Sequence, residues 1–254
     1  MGSGGNLKRE WGEFLMEYIA KSEDLTAVAD AIRAKAGTTE ALVWPEGFKA
    51  AVEGIAGGTV DNFIEILLGG GTYGTYRNEA LTKIVGPGFR NWIASGNMID
   101  TLDLPNVTNA ENEVFMGTKI RCIKVPKLGS IGSFVFRNNP ILEEVDVSGC
   151  ASAGLSCFAG DTAIQKLDFP ALKSLTYSGH WQGCSSLETL ILRYEGGVVA
   201  LQNVNSLTGT PIEAGTGYVY VPAALVDSYK AATNWATYAD QIRAIEDYPE
   251  ITGG

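Results

Sequence analysis

His180 is the one histidine in this chain, so a nucleophile–histidine–acid relay or a histidine-rich metal site would have to rest on that single imidazole. It stands beside Trp181 in "YSGHWQGC", with no nucleophile motif near it. Cys122, Cys150, Cys157 and Cys184 show no C-x-x-C spacing and read as free thiols, Cys184 as a compact core filler. The glycine-rich "LLGGGTYGTY" at 67–76 lacks the lysine and the G-x-x-x-x-G-K-S/T spacing of a phosphate cradle and reads as a turn between hairpin strands. Asp and Glu are plentiful, 29 against 19 Lys and Arg, but no spacing sets an acid–base pair apart from a solvated surface. The expectation is therefore a non-enzymatic chain with no catalytic residue, no metal site and no cofactor. A formal charge of −10 argues against nucleic acid and against anionic membrane surfaces, which both need clustered Lys and Arg. No apolar run is long enough to insert in a membrane, and the N-terminus lacks the features of a secretory signal.

What organises the sequence is a recurring pattern, I/L-x-x-L/I/V-x-L/V/F-P. It begins at Ile99, Ile120, Leu142, Ile164 and Leu187, at intervals of 21, 22, 22 and 23 residues. The seventh position is Pro105, Pro126, Ser148, Pro170 and Arg193. A period of this size marks a repeat architecture, in which each unit buries its apolar face against its neighbours. Side chains alternate along a strand, so positions four and six (Leu102 and Leu104, Ile123 and Val125, Val145 and Val147, Leu167 and Phe169) are expected inside. Positions three and five are then expected outside: Thr101 and Asp103, Cys122 and Lys124, Glu144 and Asp146, Lys166 and Asp168, Thr189 and Ile191.

Each unit has a second half, an aromatic followed three residues later by a small or polar residue: Phe115 and Thr118, Phe136 and Asn139, Phe158 and Asp161, Trp181 and Cys184. A loop or short helix would carry the aromatic into the interior. The segment "IKVPKLGSIGSFVFRNNPILEEV", Ile123 to Val145, with Ile131, Gly132 and Phe136, resembles the leucine-rich repeats of the bacterial BspA-like family. The other units keep the strand and aromatic positions and drift elsewhere. The resemblance implies a leucine-rich-repeat solenoid with a parallel sheet, hence an α/β repeat fold.

The ends differ from the middle. Trp11, Phe14, Leu15 and Tyr18, with Ile19, form an amphipathic helical stripe and a candidate oligomerisation surface. Further helices are expected from the Ser22 cap and from Pro45. "DLTAVADAIRAKAGTTEALVWPEGFKAAVEGI", Asp24 to Ile55, resembles a segment of structural and tail-associated proteins of tailed bacteriophages. "YVYVPAALVDSYKAATNWATYADQIRAIED", Tyr218 to Asp247, resembles the closing strand and helical tail that follow repeats in phage virion and BspA-like surface proteins. It reads as a last strand through Val219 and Val221, then a helical cap in which Leu225, Val226, Tyr229, Trp235, Tyr238 and Ile242 cover the end of the stack.

The expected organisation is an N-terminal helical attachment or oligomerisation region at 1–58, the repeat domain with its N-terminal cap at 59–222, and a C-terminal helical cap at 223–254. The candidate binding face is the outward ladder of Thr101, Asp103, Lys124, Glu144, Asp146, Lys166, Asp168, Thr189 and Ile191. A merely solvated, salt-bridged sheet is the competing reading of those residues. Tyr177, His180 and Trp181 form a candidate loop contact for a sugar or a protein. The resemblances imply a virion component, assembled in the host cytoplasm, homo-oligomeric, and meeting other virion proteins or a host-surface protein or glycan. A BspA-like bacterial adhesin and a cytoplasmic protein-binding inhibitor remain as alternatives.

Overall fold

The computed structural model describes residues 74–85 and 99–252, all within one compact unit that spans Glu65–Gly254. The expected N-terminal helices, with Trp11, Phe14, Leu15 and Tyr18, lie outside the described residues.

Among the described residues every strand pairing is parallel. One four-stranded sheet runs β1 (Gly74–Arg77), β3 (Ile99–Asp103), β5 (Cys122–Lys124), β7 (Glu144–Asp146). A second runs β9 (Lys166–Phe169), β11 (Thr189–Leu192), β12 (Tyr218–Val221), β13 (Ile242–Ala244). Short two-residue strands form the other side of the units: β2 (Lys83–Ile84) pairs with β4 (Asn109–Ala110), and β6 (Ser130–Ile131), β8 (Ser152–Ala153) and β10 (Ser174–Leu175) form a third sheet. Among the described residues the α-helices are brief, α1 (Val226–Ala231) and α2 (Pro249–Thr252). Parallel sheets built by successive units with little helix make this an α/β repeat fold.

The register follows the sequence period. Thr101 lies opposite Cys122 and Cys122 opposite Glu144, so equivalent motif positions stack in rungs. Positions one, four and six point inward as the alternation requires: Ile120, Leu142, Ile164, Leu187, Leu102, Ile123, Leu104, Val125 and Leu192 are completely buried. The aromatics Phe115, Phe136, Phe158 and Trp181 are buried as well. Phe115 and Phe136 stack at 5.3 Å and 13°, and Phe136 and Phe158 at 4.9 Å and 9°.

The polar residue three places after each aromatic closes a turn of the neighbouring unit. Asn139 Oδ1 accepts the N–H of Thr118 at 2.6 Å and its hydroxyl at 2.8 Å, and Asn139 Nδ2 donates to the Phe136 carbonyl. Asp161 Oδ1 accepts the Asn139 N–H at 2.7 Å, and the Cys184 thiol donates to the Phe158 carbonyl at 2.9 Å. Buried backbone groups must be paired, so these side chains stand in for a missing strand partner. One residue before the polar position the backbone turns left-handed, at Gly117, Asn138, Gly160 and Gly183, with φ from 61 to 81°. Glycine enters that region freely and asparagine tolerates it.

Among the described residues the ladder of longer strands is interrupted once, and the short-strand side once, between β4 and β6. Position six holds Leu104, Val125, Val147, Phe169 and Leu192, and Phe169 is the largest of these. Its ring meets Phe158 edge-on, at 5.9 Å and 72°, and ends the run of parallel rings. There β7 and β9 form no ladder, although the period makes them neighbours. A close-packed interior has no spare volume for the added ring, so the wall moves instead. Val145, expected inside at position four of β7, is only half-buried for the same reason.

Three further expectations are corrected. Residues 74–76 are not part of a turn but lie in a parallel strand paired with β3; residues 67–73 of the glycine-rich segment lie outside the described residues. Ile242 belongs to β13, a strand that extends the sheet beyond β12, so the C-terminal region adds a rung before it caps. The cap is made chiefly by Tyr229, Trp235 and Tyr238, whose polar atoms reach Val199, its carbonyl and the Val204 carbonyl; Leu225 and Val226 are only half-buried. A short polar-tipped aromatic layer can close an end because each ring brings its own hydrogen bond.

Candidate functional site: the outer sheet face

Alternation on β1, β3, β5 and β7 sends two rows of side chains outward. The first row is Thr75, Thr101, Cys122, Glu144 and the second Arg77, Asp103, Lys124, Asp146, each aligned by the parallel register. The second row alternates in sign. Arg77 pairs with Asp103 across the rung and with Glu79 at 2.9 Å, while Lys124 reaches Glu144 diagonally at 3.7 Å. Asp146 turns back to accept the Ser148 N–H at 3.0 Å. Cys122, expected outward, is buried to 7 % exposure because Thr101 and Glu144 flank it on the same face. Burial first, then the Glu144 charge, pushes its thiol up to about 11, so it stays protonated and unreactive at neutral pH.

A second line of charge runs along motif position two. Arg121 forks onto Asp100 with Nε–Oδ1 2.8 Å and Nη2–Oδ2 2.7 Å, and reaches Glu143 at 3.3 Å. The guanidinium holds the Asp100 carboxyl below its usual range. These are solvent-exposed pairs that add little net stability, so their value lies in fixing a pattern of charge. Arg77, Arg121 and Glu143 were not singled out from the sequence. Position two is unspecified in the motif, and Arg77 sits one long interval, 26 residues, before Asp103. Extending the period to position two, and one unit upstream to Tyr76, would have found them.

The second sheet treats the same ladder differently. Lys166, Thr189 and Tyr218 align, as do Asp168, Ile191, Tyr220 and Arg243. Ile191 is completely buried and Tyr220 is 4 % exposed, so neither presents a surface. The segment after β13 covers them: Tyr248 packs on Tyr220 at 5.3 Å, and Lys166 Nζ donates to the Ile251 carbonyl. Ile191 is therefore withdrawn from the binding face; an apolar residue at an outward position is stable only under such a cover. Asp168 is held by Arg193 at 2.7 and 2.8 Å. Along the outward ladder Asp103 is held by Arg77, Asp168 by Arg193 and Lys166 by the Ile251 carbonyl, Ile191 is buried, and Thr101, Lys124, Glu144, Asp146 and Thr189 are half-buried or exposed.

The loop contact is dismantled. Tyr177 is 70 % exposed, but His180 and Trp181 are completely buried, because the aromatic position of the unit points inward wherever it falls. Burial lowers His180 to about 4, keeping it neutral, and its Nδ1 lies 3.7 Å from the Cys157 sulfur. Burial also pushes Cys157 far above the usual thiol range and Cys184 up to about 12. All four cysteines are unpaired and buried. Asp161 is raised well above the usual carboxyl range by burial, with Oδ2 unpartnered, as are His180 Nε2 and Trp181 Nε1.

No family model matches the sequence, and neither does any curated protein. Among solved structures, a leucine rich cell surface protein from Faecalibacterium prausnitzii A2-165 is similar at 17% identity and a TM-score of 0.35. The match covers 57% of this chain and 31% of that one, so it spans under a third of the neighbour's length.

Proposed function

We propose that this chain is a non-enzymatic, protein-binding component of a tailed-bacteriophage particle, built as a leucine-rich-repeat solenoid of the BspA-like kind. The observation that carries the binding role is the open face with its rung of alternating charge, Arg77, Asp103, Lys124, Asp146. Neighbouring strands lie about 4.8 Å apart, so such a rung is a fixed ruler of charge. A partner with the inverse alternation is accepted, and one with a shifted alternation meets like charges and is rejected. The phage setting is supported by the resemblance of the segment at 24–55 to phage structural proteins; the segment at 218–247 resembles phage virion proteins and BspA-like surface proteins alike. In that setting the aromatic stripe of Trp11, Phe14, Leu15 and Tyr18 attaches the chain or joins its copies. The repeat face then meets a virion protein or a host-surface protein or glycan.

Quantitative mass spectrometry of purified phage particles tests the setting. Stoichiometric presence beside a tail protein is expected; absence overturns the virion role. Absence from particles together with saturable binding of the recombinant chain to intact bacteria would replace it with an adhesin. The face is tested by Lys124→Glu, which puts four acidic residues in or beside one rung and should abolish the binding without altering the fold.

A further inference from the structure

The interruption between β7 and β9 is more than a packing defect. In the intact sheet each unit is tied to the next by the position-six N–H donating to the neighbouring position-five carbonyl, as in Leu104 to Lys124 and Val125 to Asp146, both 2.8 Å. The corresponding bond from Val147 to Asp168 is absent, as is the bond at the other end, from Gln165 N–H to the Glu143 carbonyl. The opposite side of the same two units stays paired, through β8 and β10 and through Asn139 and Asp161. The wall is therefore open while the back is closed. At its entry, along the turns that lead into β7, β9 and β11, lies a cleft of about 320 Å³ lined by Glu143, Ala163, Gln165 and Ser186.

We propose that this opening is a strand-addition site, which takes an extended peptide segment of a partner protein carrying a Lys or Arg side chain. Facing strand edges present backbone donors and acceptors that only another main chain can satisfy together, which is the logic of β-augmentation. The charge of the occupant follows from the β7 side. Glu143 shares the single Arg121 with Asp100, and Asp146 has no cation partner among the described residues, while on the facing edge Lys166 is drawn to the Ile251 carbonyl and Asp168 to Arg193, so the β7 edge keeps net negative charge. Small side chains at Ala163 and Ser186 leave the entrance low on the β9 side, whereas the equivalent residue before β7, Ile141, is large and 44 % exposed. That isoleucine offers an apolar shelf for the peptide's neighbouring side chain. The site rests on the reading of this chain as a binding protein and deepens it; it does not depend on the phage setting.

The test begins with a random-peptide display library panned against the full chain. Enriched sequences are expected to carry a Lys or Arg within a β-prone stretch. A synthetic copy of the best sequence is then titrated by fluorescence polarisation beside versions N-methylated at single backbone positions. Because successive residues of an inserted strand turn their N–H groups to the two edges in turn, N-methylation at any residue seated between β7 and β9 should weaken binding roughly tenfold or more per lost bond, and methylation outside that stretch should do little. Glu143→Gln with Asp146→Asn should weaken the unmodified peptide and flatten its salt dependence. In hydrogen exchange the Val147 and Asp168 amides should become protected on binding. Equal tolerance of N-methylation at all positions overturns strand addition, and so does a library that yields no binder. A peptide lost on Lys124→Glu but indifferent to N-methylation overturns strand addition and leaves the outer-face reading standing.

Discussion

Asp161→Asn should stabilise this protein at neutral pH. Asp161 occupies the same place as Asn139 one unit earlier, but the two side chains are not equally satisfied. Asn139 uses both ends of its amide, accepting from Thr118 and donating to the Phe136 carbonyl. Asp161 accepts one bond through Oδ1 and leaves Oδ2 with nothing, at zero exposure. Asparagine there keeps the acceptor for the Asn139 N–H and removes the buried carboxylate with its unmatched oxygen; the Phe158 carbonyl already accepts the Cys184 thiol and the Asp161 N–H, so the gain comes from the lost charge and not from a new bond. Leaving a buried polar group unmade costs about 1–3 kcal/mol, which sets the expected gain at pH 7. In a chain of this size each kcal/mol moves Tm by roughly 2–4 °C, so a rise of several degrees is expected. The pH dependence gives the sharper readout. Burial raises the folded carboxyl above its unfolded value, so its contribution is fully present below about pH 3.9 and is lost as pH rises toward the folded pKa. The advantage of the asparagine variant must therefore be large at pH 7 and shrink toward pH 4. Urea unfolding of both proteins across that range measures it. A variant less stable than its parent at pH 7, or a gain that does not shrink on acidification, refutes the reasoning; Asn139→Asp should show the mirror-image behaviour.

His180 acts in the opposite direction. Its folded pKa of about 4 lies below the unfolded value near 6.5, so the folded state binds fewer protons between them, and stability should fall as pH falls through that window. Relative to His180→Gln, the wild type should lose up to about 3 kcal/mol between pH 7 and pH 4 in the same urea titrations. Ile191→Ala should cost about 2–4 kcal/mol, because the residue is fully buried beneath the 245–252 segment. Lys124→Ala on the open face should change stability by less than about 1 kcal/mol, which differential scanning calorimetry separates cleanly. Gly183→Ala should cost about 1–2 kcal/mol through its φ of +76° alone, since a Cβ there would meet Gly160 only at an ordinary 3.8 Å.

The period of 21–23 residues determined the parallel rungs, the inward positions and the aromatic column, because each depends only on which residues recur at which offset. The polar place held by Thr118, Asn139, Asp161 and Cys184 was legible for the same reason, although its task of tying one unit to the next was not. What the period could not reveal were the places where units stop being equivalent. Ile191 reads as an outward residue from its own strand; whether it meets water is decided by residues 57 and 60 positions later, Tyr248 and Ile251, which close over that face. His180 and Trp181 read as a loop, yet the aromatic position turns them inward along with every earlier unit. The opening between β7 and β9 depends on how one extra ring, Phe169, is accommodated by all its neighbours together. Local alternation is written residue by residue and survives in the sequence. Coverage and strain are shared among segments distant in the chain, and only the folded arrangement decides which of them yields.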